Sequence, residues 1–483
     1  MEQVLINQTV AVATIFFVSI FFLSIAVIFG FQKKTEQSYL VSSRNENTFR
    51  LTATFTASAL GAWILFGPPT ASTFGGYGSI VGYAFGAASP MLFLIFFGKK
   101  IRSIFPKGIS LSQLIQKKFS NTVSKFILII MIFYLFIFLC AEITAISKLF
   151  YKISNTPVWL TAIIILFSTL FYVVLGGLKA TIRSDTIQFI VIILLFFILI
   201  SFISTSYTLN IDTFFSYSQE NKTSLLSFFQ FGFLFFIAVC ATNLLHQGNW
   251  QRVYAAKDKT VLTNSLLISF FIIFLIVFVI GLTGILAQNL NIKFSEDLVF
   301  FSIIFFENNF LITIVVLIFA LCLTISTVDT LLNSISSLLI VHSKDFFKHS
   351  KIYTNTISFV IIISLSLIAF IIALKQLSVL YLFLIADYLC CACIYVVFKK
   401  IFFKNITNQR SLILIITALI SGGIFFPSMN YENSLLVGFF INEVYFPDAI
   451  KNQLLFWSFF LAFAAPFVMD KILNSFEKFE KNI

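Results

Sequence analysis

Long apolar runs, separated by short polar segments, repeat along the whole chain. Each approaches or exceeds the roughly 20 residues that a helix needs to cross a hydrocarbon core of about 30 Å. The runs are apolar on all faces and do not alternate, so the pattern predicts membrane-spanning helices and not a transmembrane β-barrel. The thirteen runs cover residues 10–30, 49–75, 78–98, 122–152, 157–175, 181–205, 225–250, 262–287, 311–342, 354–374, 377–398, 409–426 and 453–473.

Composition supports this interpretation. Hydrophobic residues make up 59% of the 483 residues, charged residues 11%, and the mean hydropathy is +1.00, which excludes a water-soluble domain. The first run follows Met1-Glu2-Gln3 with no basic leader or small-residue cleavage pattern, so we interpret it as a retained helix and not a signal peptide. We expect an integral protein of a bacterial inner (plasma) membrane.

The distribution of lysine and arginine predicts the orientation. With the N-terminus outside, 26 of the 32 basic residues fall on the inner side of the membrane, so we expect an external N-terminus and an internal C-terminus. The net charge of +12 then reflects this bias and contact with anionic membrane lipids. No nucleic-acid partner is expected.

Several classes of membrane protein are disfavoured. The chain contains no phosphate-binding loop motif, and its polar segments are too short for a nucleotide-binding domain, so an ATP-driven pump is disfavoured. No His/Glu set with metal-ligand spacing occurs, so we expect no enzyme and no cofactor beyond a coupling ion. We interpret the six cysteines as small hydrophobic residues, and His246 as a helix end at the inner membrane face. A secondary transporter, a channel or a solute sensor remains.

Acidic residues inside the runs are the first sign of function. A charge at a helix centre costs about 2.5–3.5 kcal/mol on insertion scales, so each one needs a reason. For Asp185, an ion pair with Lys179 or Arg183 is the structural alternative to a functional role. The four acids are Glu142, Asp185, Asp329 and Asp387.

Asp329 lies within a polar stripe. Residues 326, 329, 330, 333 and 337 share one helix face, which therefore carries hydroxyl, amide and carboxylate oxygens. These are hard ligands suited to Na⁺. Hydrogen bonding between helices by Ser and Thr is the alternative.

The second run contains a predicted break. The segment Ala57-Ser58-Ala59-Leu60-Gly61-Ala62-Trp63 runs into Gly67-Pro68-Pro69, and the double proline removes two backbone donors. A helix broken within the membrane exposes carbonyl groups that transporters use to bind ions. A simple proline kink is the alternative.

Three segments resemble signatures of the sodium:solute symporter family, in the family's order. The first is Gly176-Gly177-Leu178-Lys179-Ala180 with Asp185-Thr186-Ile187-Gln188, and the second is Asn249-Trp250-Gln251-Arg252 through Lys257-Asp258. The third runs from Ser326-Thr327-Val328-Asp329-Thr330 through Ser336-Ser337-Leu338-Leu339 to Lys344-Asp345. The resemblance covers essentially the whole chain, because thirteen helices with an external N-terminus is also the family's topology.

The resemblance implies an all-α, LeuT-type fold with two five-helix repeats of opposite orientation. The repeats would span 49–205 and 225–398, joined by an external loop at 206–224. Residues 1–48 would form an extra helix and a basic cytoplasmic loop, and residues 399–483 two accessory helices and a short cytoplasmic tail.

The resemblance also implies ion sites. A Na⁺ ion would bind carbonyls of Ala57, Leu60 and Leu323 and hydroxyls of Ser326 and Thr327. Some members hold a second cation, and the matching positions are Asp185, Ser326, Asp329 and Thr330. If the two carboxylates meet, one cation or proton between them would relieve their repulsion.

Substrate would lie between the repeats, lined by Trp63, Glu142, Thr242, Asn243 and Asp387. Ala59 and Leu139 stand where proline-transporting members carry an acid and a tyrosine, and Ile64 where sugar-transporting members carry glutamine. Glu142 and Asp387 instead favour a solute with cationic or donor groups. We therefore expect a Na⁺-coupled symporter of an amino acid, amine or urea-like compound, with a proton-coupled relative, a channel or a sensor as alternatives.

Overall fold

A computed structural model describes residues 5–30, 40–207, 225–293, 297–342, 351–403, 406–431, 433–440 and 453–481. Across these ranges the backbone is almost entirely helical, with two isolated bridges as its only β pairing. The helices are α1 Gln8–Gly30, α2 Thr48–Ala59, α3 Trp63–Ile104, α4 Leu111–Lys118, α5 Asn121–Ser154, α6 Val158–Ser206, α7 Leu225–Leu245, α8 Gln247–Ala255, α9 Lys259–Asn289, α10 Val299–Ile304, α11 Phe310–Val341, α12 Lys351–Ala373, α13 Val379–Phe398, α14 Asn408–Gly423, α15 Leu435–Phe440 and α16 Leu454–Lys481.

Two of these helices are too long for one crossing. α3 has 42 residues and α6 has 49, which at 1.5 Å per residue correspond to roughly 60–75 Å. Each contains one residue with left-handed backbone geometry, Gly76 (φ 54°) in α3 and Gly177 (φ 58°) in α6. Glycine has no Cβ to oppose a positive φ, so the chain reverses there and each helix supplies two spans.

The predicted spans are confirmed. Each of the thirteen apolar runs lies on a helix, a helix half or a broken helix pair of the structure. In the described part of the chain, nine segments are long and apolar enough to cross a membrane by length and composition, and 158–171 and 359–373 are shorter apolar helices.

The first break in the helices lies earlier than the sequence suggested. Helix α2 ends at Ala59, Leu60 leaves the helical region (φ −96°, ψ 83°), and α3 begins at Trp63. Pro68 and Pro69, the predicted breakers, lie inside α3. The second run is therefore broken, as predicted, but not at the double proline. Surrounding helices can support a helix that lacks two donors, whereas the break lies where a neighbouring side chain accepts the freed N–H groups.

A second break interrupts the span at 225–250. Helix α7 ends at Leu245, and His246 (φ −62°, ψ 114°) precedes α8, whose Gly248 N–H donates to His246 Nδ1 at 3.1 Å. Helix α8 follows His246 and has nine residues, so it is about 13 Å long and leads from His246 toward the inner side of the bundle. His246 is therefore a helix end, as predicted, but it lies in the interior and not at the membrane face.

The core forms around α11. Its residues from Val316 to Leu339 are almost all buried, including its hydroxyl groups, and it packs against α5, α6 and α2. Helix α3 packs along α7 and α9 on the other side. Both helix breaks therefore meet the polar face of α11 inside the bundle.

Candidate functional site

A small cavity lies between the two helix breaks. Its volume is about 30 Å³, enough for water but not for an organic solute, so the centre is closed around its own side chains. Its walls come from α2, α3, α5, α7, α11 and α13 and from the break at His246. The lining residues are Ser58, Ala59, Trp63, Gly67, Tyr83, Phe138, Val239, Thr242, Asn243, His246, Thr327, Phe383 and Asp387.

Aromatic rings form much of the wall. Trp63 stacks on Tyr83 with 6.0 Å between ring centroids, and Tyr83 stacks on Phe235 at 4.4 Å. Opposite, Phe138 and Phe383 meet edge to face at 4.8 Å. Such faces attract a cation through the ring quadrupole, so the wall suits an organic ammonium group.

Asp387 supplies the negative charge of this cavity. It is 4% exposed, and its Oδ1 accepts a hydrogen bond of 2.6 Å from Thr242 Oγ1. Among the residues that the structure describes, no lysine, arginine or histidine forms an ion pair with it. Four of the predicted substrate residues, Trp63, Thr242, Asn243 and Asp387, therefore line one cavity.

Glu142 occupies a different position. Its Oε2 accepts from the N–H of Ala62 at 3.0 Å and its Oε1 from the N–H of Trp63 at 3.5 Å, so it caps the first turn of α3. The carboxylate is fully buried and is not part of the cavity wall. The structure therefore separates Glu142 from the other four predicted substrate residues.

Part of the predicted Na⁺ site lies beside the cavity, whereas the Ser326 hydroxyl donates to Asp185 instead. Ala57 and Leu60 lie at the end of α2, where the last carbonyls of a helix lack partners in the next turn. A Cβ added at Gly61 would lie 2.8 Å from Thr327 Oγ1, so the α2–α3 break touches α11 at this hydroxyl. Thr327 in turn donates to the Leu323 carbonyl at 3.1 Å. Carbonyl and hydroxyl oxygens from two helices thus converge.

The second predicted cation site has a different partner. The Asp185 carboxylate pairs with the Arg252 guanidinium at 2.9 Å, and both side chains are fully buried. Asp185 also accepts from Ser326 Oγ at 2.7 Å and from Thr54 Oγ1. The positive charge beside Asp185 is therefore an arginine of α8, and neither Lys179 nor Arg183 fills this place.

Arg252 also separates the two acids of that site. It donates to Thr330 Oγ1 at 2.9 Å, and Thr330 donates to Asp329 at 3.2 Å. The acids are linked through a guanidinium and a hydroxyl, so a second cation at Asp185 would have to displace or face Arg252. The second site stays a prediction, and this pairing counts against it.

The sequence could have indicated some of the missed residues. Phe138 and Phe383 lie one helical turn before Glu142 and Asp387, so helical spacing places them on the same faces. Tyr83, Ser58 and His246 carried no such signal. Their contacts depend on packing between distant helices.

A larger cavity opens on the side opposite the basic loops, which is the outer side. It has a volume of about 550 Å³. Beside it Asp297 pairs with Lys148 at 2.5 Å and accepts from the N–H of Val379 at 3.3 Å. The outer cavity is lined by Thr70, Thr73, Phe74, Phe231, Asp297, Ser378, Leu380, Pro427, Met429, Asn430, Tyr431, Leu454 and Leu455.

These features define a class of protein. A helical membrane bundle with two interrupted helices and a closed central cavity between them is typical of a secondary transporter. Residues 39–418 match the sodium:solute symporter family, so the chain belongs to that family, whose function is Na⁺-coupled transport of a solute.

Solved structures of other transporters share the fold of this chain. A Na⁺-coupled sialic acid symporter in an outward-open state matches with a TM-score of 0.72 at 14% identity, covering 95% of this chain and 97% of that one. A manganese transporter of Eremococcus coleocola matches with a TM-score of 0.50 at 11% identity, covering 91% and 97%. The all-α, LeuT-type fold is thereby confirmed. A spermidine transporter of Candida albicans is 24% identical over 391 residues, which cover 78% of this chain and 72% of that relative.

Proposed function

We propose that the protein imports a small organic amine together with Na⁺ by alternating access. The observation that carries this proposal is Asp387, a buried carboxylate in an aromatic cavity without a basic partner among the described residues. An ammonium group would satisfy the carboxylate and lie against the faces of Trp63 and Tyr83.

An amine fits this cavity better than an amino acid. The α-carboxylate of an amino acid would need a cation or free helix N–H groups, and no lysine or arginine lines the described cavity. The N–H groups of Ala62 and Trp63 already bind Glu142. That a relative transports spermidine, a polyamine, agrees with the same chemistry.

The coupling ion would bind at the α2–α3 break through Ala57, Leu60, Leu323, Ser326 and Thr327. Thr327 and Ala59, which lies between the ligands Ala57 and Leu60, line the central cavity. Na⁺ and the amine would therefore both stabilise the conformation of the α2–α3 break. Na⁺ would thus favour the state that accepts solute. The two inverted repeats at 49–205 and 225–398 are part of this proposal, and the break in the first helix of each repeat supports them. We also propose that the protein lies in a bacterial inner membrane.

Uptake into proteoliposomes tests the proposal. With an inward Na⁺ gradient, we expect accumulation of amines such as spermidine from a panel that also contains an amino acid, urea and a sugar. Accumulation of sugars or carboxylic acids alone would exclude the amine assignment. Accumulation driven by a pH gradient without Na⁺ would replace Na⁺ by H⁺ as the coupling ion.

A further inference from the structure

The break between α2 and α3 is capped by an acidic side chain from a third helix. Ala62 precedes the first residue of α3 and has no side chain that could cap it. Glu142 of α5 takes that role through its bonds to the N–H groups of Ala62 and Trp63. A carboxylate stabilises the positive end of a helix, which corresponds to about half an elementary charge.

Glu142 is also close to a predicted Na⁺ ligand. A Cβ built on Gly61 would lie 2.3 Å from Glu142 Oε1 and 2.8 Å from Thr327 Oγ1. The two oxygens are therefore at most about 5 Å apart, the sum of those distances. Only a glycine leaves room for this approach.

The helix end offsets only part of the charge on Glu142. The side chain is fully buried, and no lysine, arginine or histidine of the described residues forms an ion pair with it. A buried carboxylate that lacks a full counter-charge attracts a cation strongly, because a low-dielectric interior does not screen it.

We infer that Glu142 is the counter-charge of the coupling Na⁺, and that its cap on α3 holds this charge beside the ion at the helix break. This inference rests on the proposed ion site, whose other ligands are neutral oxygens. It assigns to Glu142 a role in ion affinity, whereas the sequence alone suggested a contact with the substrate.

The test is the stabilisation of the purified protein by Na⁺ without solute, measured as the unfolding temperature in NaCl against choline chloride. In Glu142→Gln, an amide oxygen can still cap Ala62 but the charge is lost. We expect the half-saturating Na⁺ concentration to rise about tenfold or more, while the unfolding temperature in choline changes little.

Two variants make the result specific. Glu142→Asp keeps the charge but shortens the cap, so it is expected to lower the unfolding temperature in choline and to keep the Na⁺ half-saturation within about threefold of wild type. Asp387→Asn removes another buried acid and should leave the Na⁺ half-saturation within about twofold.

Wild-type Na⁺ half-saturation in folded Glu142→Gln would overturn the inference, and so would a tenfold rise in Glu142→Asp. If Glu142→Gln does not fold, the Na⁺ half-saturation of Glu142→Asp decides alone, and a tenfold rise there overturns the inference. Failure of the wild type to respond to Na⁺ at all would instead overturn the proposed coupling ion, so the two failures are distinguishable.

Discussion

Two kinds of buried acidic residue lie in the interior of this transporter. Near the centre of the described interior, Asp185 forms a fully buried ion pair with Arg252, whereas Asp387 and Glu142 have hydroxyl or amide groups as partners. The ion pair holds helices together. In the proposed mechanism, the acids without a basic partner bind a cationic ligand.

Asp387→Asn is predicted to reduce amine affinity. It keeps an oxygen that Thr242 can reach, but loses the attraction for an ammonium group, and a charged hydrogen bond contributes about 1.5–3 kcal/mol. We expect the KM for the amine to rise about tenfold to a hundredfold in radiolabelled uptake at saturating Na⁺. Thr242→Val is the matched control and should give a smaller rise, because the carboxylate remains. An unchanged KM in Asp387→Asn would place the ammonium group elsewhere.

Arg252→Gln is predicted to destabilise the bundle. It leaves the Asp185 carboxylate buried beside neutral groups, a loss of about 3–5 kcal/mol for a buried pair broken on one side. Unfolding in detergent should show a large decrease in midpoint. The double variant Asp185→Asn with Arg252→Gln should recover part of this loss, and a strictly additive loss would show that the pair contributes nothing specific.

Asp185 also shows what the sequence could not provide. Its isolation in an apolar run marked it as important, and Lys179 and Arg183 were the near candidates for pairing. The actual partner is 67 residues away, on a short helix created by a break at His246. Sequence spacing gives neighbours on one helix, but partners on other helices depend on how the spans pack.

At the scale of helices, the apolar pattern was sufficient to locate the spans. Runs 49–75 and 78–98 meet at Gly76, and runs 157–175 and 181–205 meet around Gly177, so both reversals lie where hydrophobicity pauses. The position of the first break was not predictable in this way. The double proline is the stronger local signal in the sequence. The helix instead breaks where Glu142 can accept hydrogen bonds from the freed N–H groups of Ala62 and Trp63.

Gly61→Ala and Pro68→Ala therefore should differ in effect. A methyl group at 61 would meet Glu142 Oε1 at 2.3 Å and Thr327 Oγ1 at 2.8 Å, so the break must open and the ion ligands separate. We expect Na⁺-driven uptake to fall more than tenfold. Alanine at 68 restores a helix donor, and uptake should stay within about twofold of wild type. Equal loss in both variants, at equal amounts of folded protein, would show that the proline pair is also part of the functional break.

At the scale of the whole molecule, the two sides of the bundle differ. The outer side holds a cavity of about 550 Å³ and the centre one of about 30 Å³. On the inner side, Arg252 joins α2, α6, α8 and α11, and the backbone of Glu46 bonds to Ala255 and Lys257 at 3.1 Å. The described residues therefore form a large cavity on the outer side and leave only a small one at the centre.

Cysteine labelling tests this asymmetry. All six native cysteines are buried, which gives a low background for a membrane-impermeant thiol reagent. Thr73→Cys, in the outer cavity, should react from outside in Na⁺, whereas Ser334→Cys, fully buried on α11, should not. Fast external labelling of Ser334→Cys would contradict the closed centre.

The Asp185–Arg252 pair also bears on how the protein is made. During synthesis Asp185 leaves the ribosome 67 residues before Arg252, so the helix that carries it enters the membrane with an unpaired acid. Asp185 gains its counter-charge only when the seventh span has been inserted and α8, which carries Arg252, packs against α6. We therefore expect the amino-terminal half to reach its final packing only after the second half has been inserted.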